Sequence, residues 1–260
     1  MEQKKMALVT GASRGIGAAI AHVLASKGFG LILVARDRSA LEDVAESIRG
    51  KHSVEVHVLV EDLADQGAPR RILQWCEERR FPVSMLVNNA GFGLNGPLEE
   101  YDLLRYEDMV TVNNTALMAL THLFLPQFRT RERAWIMNIA STAAYQAVPY
   151  LAVYAATKAF VLFFSRALHH ELRGTPVSVT CVSPGATDTA WASRAQIRGK
   201  AMKAAEKMNM SPEAVAEIAV NATLAGRAEV VAGFMNKMSA FFAKILPAGI
   251  VERVAHGLYK

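Results

Sequence analysis

Lys5-Met-Ala-Leu-Val-Thr-Gly-Ala-Ser-Arg-Gly-Ile-Gly17, running straight into Ala18, Ala19, Ile20, Val23 and Leu24, decides how this chain begins to fold. Residues 5–10 form an apolar run of strand length, and the apolar spacing beyond Gly17 is that of a helix. Strand, glycine turn and helix together make the context that a dinucleotide fingerprint requires. Gly11 admits the tight turn, while Gly15 and Gly17 leave room for a pyrophosphate and for close packing of helix on sheet. Ser13, Arg14 and Ile16 lie between them, and backbone N–H groups at the helix start face the phosphates. The spacing is GxxxGxG and not GxGxxG. Taken alone, these glycines also fit a turn with no function.

Outward from this turn, apolar runs recur at 30–35, 54–60, 84–88, 134–140 and 177–183, with a weaker one at 229–232 and helical patterns between them. Strand alternating with helix predicts an α/β fold: one Rossmann-type, doubly wound parallel sheet of about seven strands, covered on both faces. The chain has 260 residues, of which 52% are hydrophobic, enough to bury one full core, and no Pro/Ser-rich or charge-rich stretch marks a linker. Two units are expected: residues 1–232 as the dinucleotide-binding domain with its catalytic site, and residues 233–260 as a helical extension. Ligands of such sheets sit beyond the carboxyl ends of the strands, where the strand order reverses.

At those carboxyl ends fall the remaining motifs. Asp62-Leu63 follows the third strand, Asn88-Asn89-Ala90-Gly91 the fourth, and Asn113 lies in the helix after that. Ser141 precedes Tyr154-Ala-Ala-Thr-Lys158 by thirteen residues, and Pro184-Gly185-Ala-Thr187-Asp-Thr189 closes the sixth strand. A YxxxK pair alone is weak, and Asn88 to Gly91 alone reads as a plain turn. In this order the seven motifs resemble the short-chain dehydrogenase/reductase family, to about residue 230. The longer tail is similar to its loosely characterised DltE-like and steroid or long-chain ketoacyl reductases.

The resemblance implies an oxidoreductase that binds a nicotinamide dinucleotide and interconverts a small-molecule carbonyl and its alcohol. It assigns Tyr154 as general acid or base, Ser141 to orient the carbonyl, Lys158 to the nicotinamide ribose, and Asn113, in preference to Asn114, to a water in a proton relay. It assigns Asp62 to the adenine amino group, with Leu63 beside it, and Asn89, Ala90 and Gly91 to the adenosine ribose. Pro184, Gly185, Thr187 and Thr189 hold the carboxamide. Free tyrosine titrates near 10, so surroundings must supply roughly 4 kcal/mol to make it an acid near neutrality. Lys158, one turn away on the same helix face, is the expected source, and an oxidised nicotinamide adds a second positive charge.

Position 35 decides which nicotinamide binds, because it meets the adenosine ribose. NAD sites place a carboxylate there; this chain has Ala35 and then Arg36, with Arg14 in the glycine turn. A guanidinium clamps a 2′-phosphate, so NADP(H) is the expected cofactor. Arg38 reads as a solvated loop residue, and Asp37 beside Arg36 argues the other way.

Phe92, Leu94, Tyr145, Val148, Tyr150 and Trp191 follow the catalytic motifs and predict a mainly apolar substrate pocket. A ketone or aldehyde of medium or larger size fits it, and a 3-oxoacyl thioester is the alternative. Arg194, Arg198, Lys200, Lys203 and Lys207 against Glu206 read as a solvated helix face before an anion handle. A dinucleotide sensor without turnover is the competing class of function, and it predicts loss of Ser, Tyr or Lys from the catalytic set.

The net charge of +5 is spread along the chain without stacking aromatics or a nucleic-acid motif, so nucleic acid is not an expected partner. His169 and His170 are adjacent and so point to different helix faces, which leaves no metal site. Cys76 and Cys181 read as buried free thiols, and no apolar stretch at the start suits a signal peptide, so a cytoplasmic protein is expected. In the tail, Phe234, Met235, Met238, Phe241, Phe242, Ile245 and Leu246 make one helical stripe, and after Pro247 to Gly249 come Ile250, Val251, Val254 and Leu258. That stripe packs over the substrate cleft, meets a second subunit of a homodimer or homotetramer, or lies on a membrane surface, the last being least expected.

Overall fold

The structure, a computed structural model, describes residues 5–187, 195–197, 202 and 209–259. Thr189, Trp191 and the charged residues Arg194, Arg198, Lys200, Lys203, Glu206 and Lys207 lie outside them.

Seven parallel strands form one sheet: β1 (Met6–Thr10), β2 (Gly30–Ala35), β3 (Val56–Val60), β4 (Val83–Asn88), β5 (Ala134–Ile139), β6 (Val177–Ser183) and β7 (Glu229–Val231). Their spatial order is β3-β2-β1-β4-β5-β6-β7, so the order reverses between β1 and β4. The strands are nearly continuous apolar runs because both faces are covered. Alternate residues divide between two cores. Val9, Leu31, Leu33 and Val87 pack with Ile20 and Leu24 of α1 (Gly15–Ser26), Leu41 and Ile48 of α2 (Arg38–Arg49), and Val220 of α7 (Pro212–Leu224). Leu8, Ile32, Val34 and Leu86 pack on the other side with Ile72 of α3 (Ala68–Glu78) and Leu120 and Phe124 of α5 (Ala116–Phe128). The period-2 alternation of side chains thus fills both layers at once.

Three further helices place the site. α4 (Leu103–Val110) runs through a π-helical turn, Thr111–Thr115, into α5, and α6 (Ala152–Glu171) carries the YxxxK pair against β5 and β6. Beyond β7 come α8 (Phe234–Ile245) and α9 (Ala248–Tyr259). Cys76 and Cys181 are both free and buried.

The tail departs from its simplest reading. α8 docks through Asn236 and Ala240, with the half-buried Ala243, and Asn236 Nδ2 donates to Ala232 O at 2.7 Å. The bare Cα of Gly185 admits that asparagine, whose amide occupies the place of a Cβ. The stripe Phe234, Met235, Phe241, Phe242, Ile245 and Leu246 therefore faces away from the domain and is exposed. Small residues allow close approach on the inner side, and the large ones are left outside.

Candidate active site

At the reversal between β1 and β4 the chain builds a cradle from backbone. The Thr10 hydroxyl donates to Val87 O at 3.1 Å and accepts from the N–H groups of Asn89 and Ala90. Asn89 Nδ2 donates to Thr10 O at 2.9 Å and Gly11 O at 3.2 Å, so its side chain staples the two strand ends together. Gly11 has φ +64° and Gly15 φ +57°, left-handed values that glycine adopts freely. A Cβ on Gly11 would lie 2.9 Å from Ala90 Cα, and one on Gly17 would run into the Gly11 carbonyl. The turn at the N-terminus of α1 fits the pyrophosphate of a dinucleotide, since the first N–H groups of a helix have no partner within it.

Four side chains expected to act together do converge beyond β5. Ser141 caps the short helical turn Thr142–Tyr145, its Oγ accepting from Ala143 N at 3.1 Å, and its hydroxyl also hydrogen-bonds Tyr154. Lys158 is 5% exposed, and its Nζ donates to Ile139 O at 2.9 Å, the last carbonyl of β5. Nζ sits 5.8 Å from the centroid of the Tyr154 ring. Asn113, in the π-helical turn, donates to Phe92 O and to Thr157 Oγ1, both at 3.0 Å, and accepts from Phe92 N at 3.1 Å. Asn114 donates instead to Thr157 O at 2.9 Å. Gly91 joins the two halves, because a Cβ there would lie 3.0 Å from Asn113 Oδ1 and 3.3 Å from Lys158 Nζ.

Thr157 is the residue that motif reading passed over. It is 4% exposed, accepts from Asn113, and donates to Tyr154 O at 2.7 Å, so it locks α6 to the π-helical turn. Its signal was the hydroxyl residue inside the YxxxK pair.

The electrostatics differ from expectation. Burial pushes the Tyr154 phenol above its ordinary value, with the Ser141 hydrogen bond pulling the other way, so the free protein does not hold it near neutrality. Burial lowers Lys158 to about 8. Burial thus disfavours the charged form of both groups.

Around Arg14 and Arg36, the residues expected to meet the adenosine ribose, charges interlock. Arg14 NH2 lies 3.0 Å from Asp37 Oδ2, while Asp37 Oδ1 caps α2 by accepting from Ala40 N at 3.1 Å. Arg36 NH1 lies 3.5 Å from Asp62 Oδ2, and Asp62 Oδ1 accepts from Ala64 N. Asp37 is thus occupied as a cap and ion-pair partner, and the Arg36 side chain is 73% exposed. Leu63 is buried in the core and packs there, not in an open cleft. Pro184 O accepts from Thr142 N at 2.9 Å, and the Thr187 hydroxyl donates to Gly185 O at 3.2 Å.

On the substrate side, Leu94 and Val148 are buried beside Tyr154, with Phe92 packed against them. A cavity of about 240 Å³ adjoins this cluster, lined by Leu94, Leu98, Tyr106, Tyr150, Val153 and His256 among others. Tyr150 has φ +65°, a strained value for a tyrosine, and its ring meets His256 of α9 at 5.6 Å. Ala255 and Tyr259 of the same helix pack against the cluster that holds Tyr154. Tyr145 is a correction: it does not join this cluster. Its hydroxyl donates to Glu229 Oε1 at 2.7 Å and accepts from the Ser183 hydroxyl at 3.1 Å, and its ring lies under Lys244. His169 and His170, in turn, stack edge to face, with His169 Nδ1 2.9 Å from Val179 O.

Comparison with known proteins agrees with this geometry. The family model for short chain dehydrogenase matches residues 5–198. A 7beta-hydroxysteroid dehydrogenase of Clostridium sardiniense is 32% identical over 209 residues, covering 80% of this chain and 78% of the relative. A very-long-chain 3-oxoacyl-CoA reductase of Danio rerio is 35% identical over 184 residues; the match covers 69% of this chain but 57% of the relative's length. Among solved structures, a short-chain dehydrogenase from Sphingobium yanoikuyae in complex with NADPH superposes with a TM-score of 0.81 at 30% identity, over 92% of each chain.

Proposed function

The chain belongs to the short-chain dehydrogenase family, and on that premise we propose that it is an NADP(H)-dependent reductase of a mainly apolar ketone or aldehyde, with Tyr154 as its general acid. The observation that carries this reading is the convergence of Ser141 with Tyr154 and of Lys158 with Asn113 at Gly91, beyond the carboxyl ends of β4 and β5. A dinucleotide sensor has no need of a buried lysine held against a strand-end carbonyl.

The glycine turn 11–17, Asn89 to Gly91 and the Pro184 to Thr187 segment are the parts suited to the dinucleotide, with Arg14 and Arg36 for a 2′-phosphate. The chemistry a nicotinamide brings when bound is hydride transfer to or from the substrate carbon. Tyr154 gives its proton to the carbonyl oxygen, and Ser141 holds that oxygen by a second hydrogen bond. A phenol raised by burial keeps its proton at neutral pH, the form that reduction uses. Lys158 supplies positive charge close by, against the developing phenolate.

The apolar cavity that shares Leu94, Tyr106 and Val153 with the Tyr154 cluster supports a substrate with a bulky apolar body. Relatives named for steroid and very-long-chain 3-oxoacyl substrates support the same class, and a 3-oxoacyl thioester is the second reading. The homo-oligomer expected from the sequence belongs to this proposal too. The test is NADPH oxidation against ketones, aldehydes and 3-oxoacyl thioesters, with Tyr154→Phe as control. Turnover that the substitution abolishes, with NADPH affinity kept within a few-fold, is expected. Tight NADPH binding without turnover of any carbonyl refutes the enzyme and leaves the sensor.

A further inference from the structure

We infer, on the reading that the Pro184 to Thr187 segment receives the nicotinamide end of the cofactor, that Asn236 of α8 is a positioning residue that sets the height of that segment.

Beyond β6 the chain leaves the sheet and is held at its edges by backbone. Pro184 O accepts from Thr142 N at 2.9 Å, Ala186 O accepts from Met210 N at 3.2 Å, and Thr187 pairs with Met210 in an isolated bridge. What lies against Gly185, between those footholds, is a side chain. A Cβ there would fall on Oδ1, Cγ and Nδ2 of Asn236 alike, so the amide group as a whole supports the bare Cα. The asparagine is itself fixed. It is 6% exposed, and its Nδ2 donates to Ala232 O at 2.7 Å and to Met210 Sδ at 3.8 Å. Gly233, with φ +87°, turns the chain into α8 at this close range; a Cβ on it would lie 2.6 Å from Met210 Sδ.

Alanine alone would serve packing at this position, as Ala240 does on the same inner face. The amide instead reaches Gly185. Further along α8, about 12 Å at 1.5 Å per residue, Lys244 lies over the Tyr145 ring and 3.7 Å from Glu229. α8 is therefore pinned at one end to the segment after β6 and at the other to the turn Thr142–Tyr145, which Ser141 caps. Without the amide the segment loses its contact atoms on that side and sinks towards α8, and groups aimed at a carboxamide move with it. The adenosine end belongs beside β2, and the order β2-β1-β4-β5-β6 puts four strand spacings between β2 and β6, roughly 19 Å. Asn236 thus acts on one end of the cofactor and not on the other.

The experiment titrates the full chain by calorimetry with NADPH and with adenosine 2′,5′-bisphosphate, which carries the adenosine 2′-phosphate but no nicotinamide. Asn236→Ala should weaken NADPH about tenfold, the worth of roughly one hydrogen bond, and leave the bisphosphate unchanged. Gly185→Ala, whose methyl strikes the amide, should weaken NADPH as well. Joining it to Asn236→Ala should restore binding, because the methyl then fills the vacated place. If Gly185→Ala does not fold, the double variant must still fold and bind NADPH more tightly than Asn236→Ala. Equal losses for the two ligands in Asn236→Ala mark a merely structural role and overturn the inference. So do an unaltered NADPH affinity and a double variant without recovery. An unmodified chain that binds neither ligand removes the cofactor reading and this inference together, whereas tight NADPH binding indifferent to Asn236→Ala removes this inference alone.

Discussion

Replacing Lys158 by methionine should make the cofactor-free protein more stable while removing its activity. Burial lowers this lysine from 10.5 to about 8, and at 1.36 kcal/mol for each pKa unit that is about 3 kcal/mol spent on keeping it charged at pH 7. Methionine matches its length and needs no solvation, but the Ile139 carbonyl loses its donor, at 2.9 Å in the native protein. That loss offsets about 1 kcal/mol, so the variant should gain about 2 kcal/mol and about 4–8 °C in Tm. The gain must depend on pH. Between about 8 and 10.5 the folded protein binds fewer protons at this site than the unfolded chain, so native stability rises with pH across that window. The variant has no such rise; its advantage should vanish towards pH 10.5 and turn into a small deficit. Urea unfolding of both proteins at pH 7, 8, 9 and 10 reads the difference, in which other titrating groups cancel. A variant less stable at pH 7, or a difference flat from pH 7 to 10, refutes the reasoning.

Other substitutions test separate parts. Arg36→Asp should swing the ratio of kcat/KM for NADPH and NADH at least tenfold towards NADH, by removing a charge-assisted contact of about 1.5–3 kcal/mol; an unchanged ratio moves the role to Arg14. Gly17→Ala places a methyl against the Gly11 carbonyl and the Asn89 amide, and calorimetry should show about 1–3 kcal/mol of lost stability or no folding at all. Glu229→Ala strands the Tyr145 hydroxyl and frees Arg166 and Lys244. It should cost about 1.5–3 kcal/mol in urea unfolding, and Glu229→Gln, which still accepts from Tyr145, should recover most of it. Equal losses for alanine and glutamine assign the effect to the ion pairs.

The sheet was legible because its signals are local. Each apolar run between 5 and 183 is a strand with a helix after it, and the glycines at 11 and 15 do adopt the left-handed angles that a tight turn demands. The motif residues Ser141, Tyr154 and Lys158 could be placed together because each follows a strand end or a helical turn of fixed length. What the sequence concealed depends on distant partners. Tyr145 stands four residues after Ser141, yet Glu229, 84 residues away, takes its hydroxyl. Nothing local distinguishes a pocket tyrosine from one committed to a carboxylate on an edge strand.

The direction in which Tyr154 and Lys158 shift in the chain alone has a physical origin that the spacing of the pair does not disclose. A lysine beside a tyrosine suggests Coulomb attraction to a phenolate, which lowers the tyrosine. In the folded chain both groups are almost fully buried, at 6% and 5% exposure, and burial penalises the charged form of each. The phenolate and the ammonium are therefore both disfavoured, and the pair drifts towards its neutral state. Ala255 and Tyr259 of α9, which pack with Tyr154, deepen that burial from the far end of the sequence. A chain ending before α9 would leave Tyr154 wetter and its pKa nearer the ordinary value. α9 thus reaches Tyr154 through solvation, and this is why a motif five residues long could bring Tyr154 and Lys158 together but not disclose their environment.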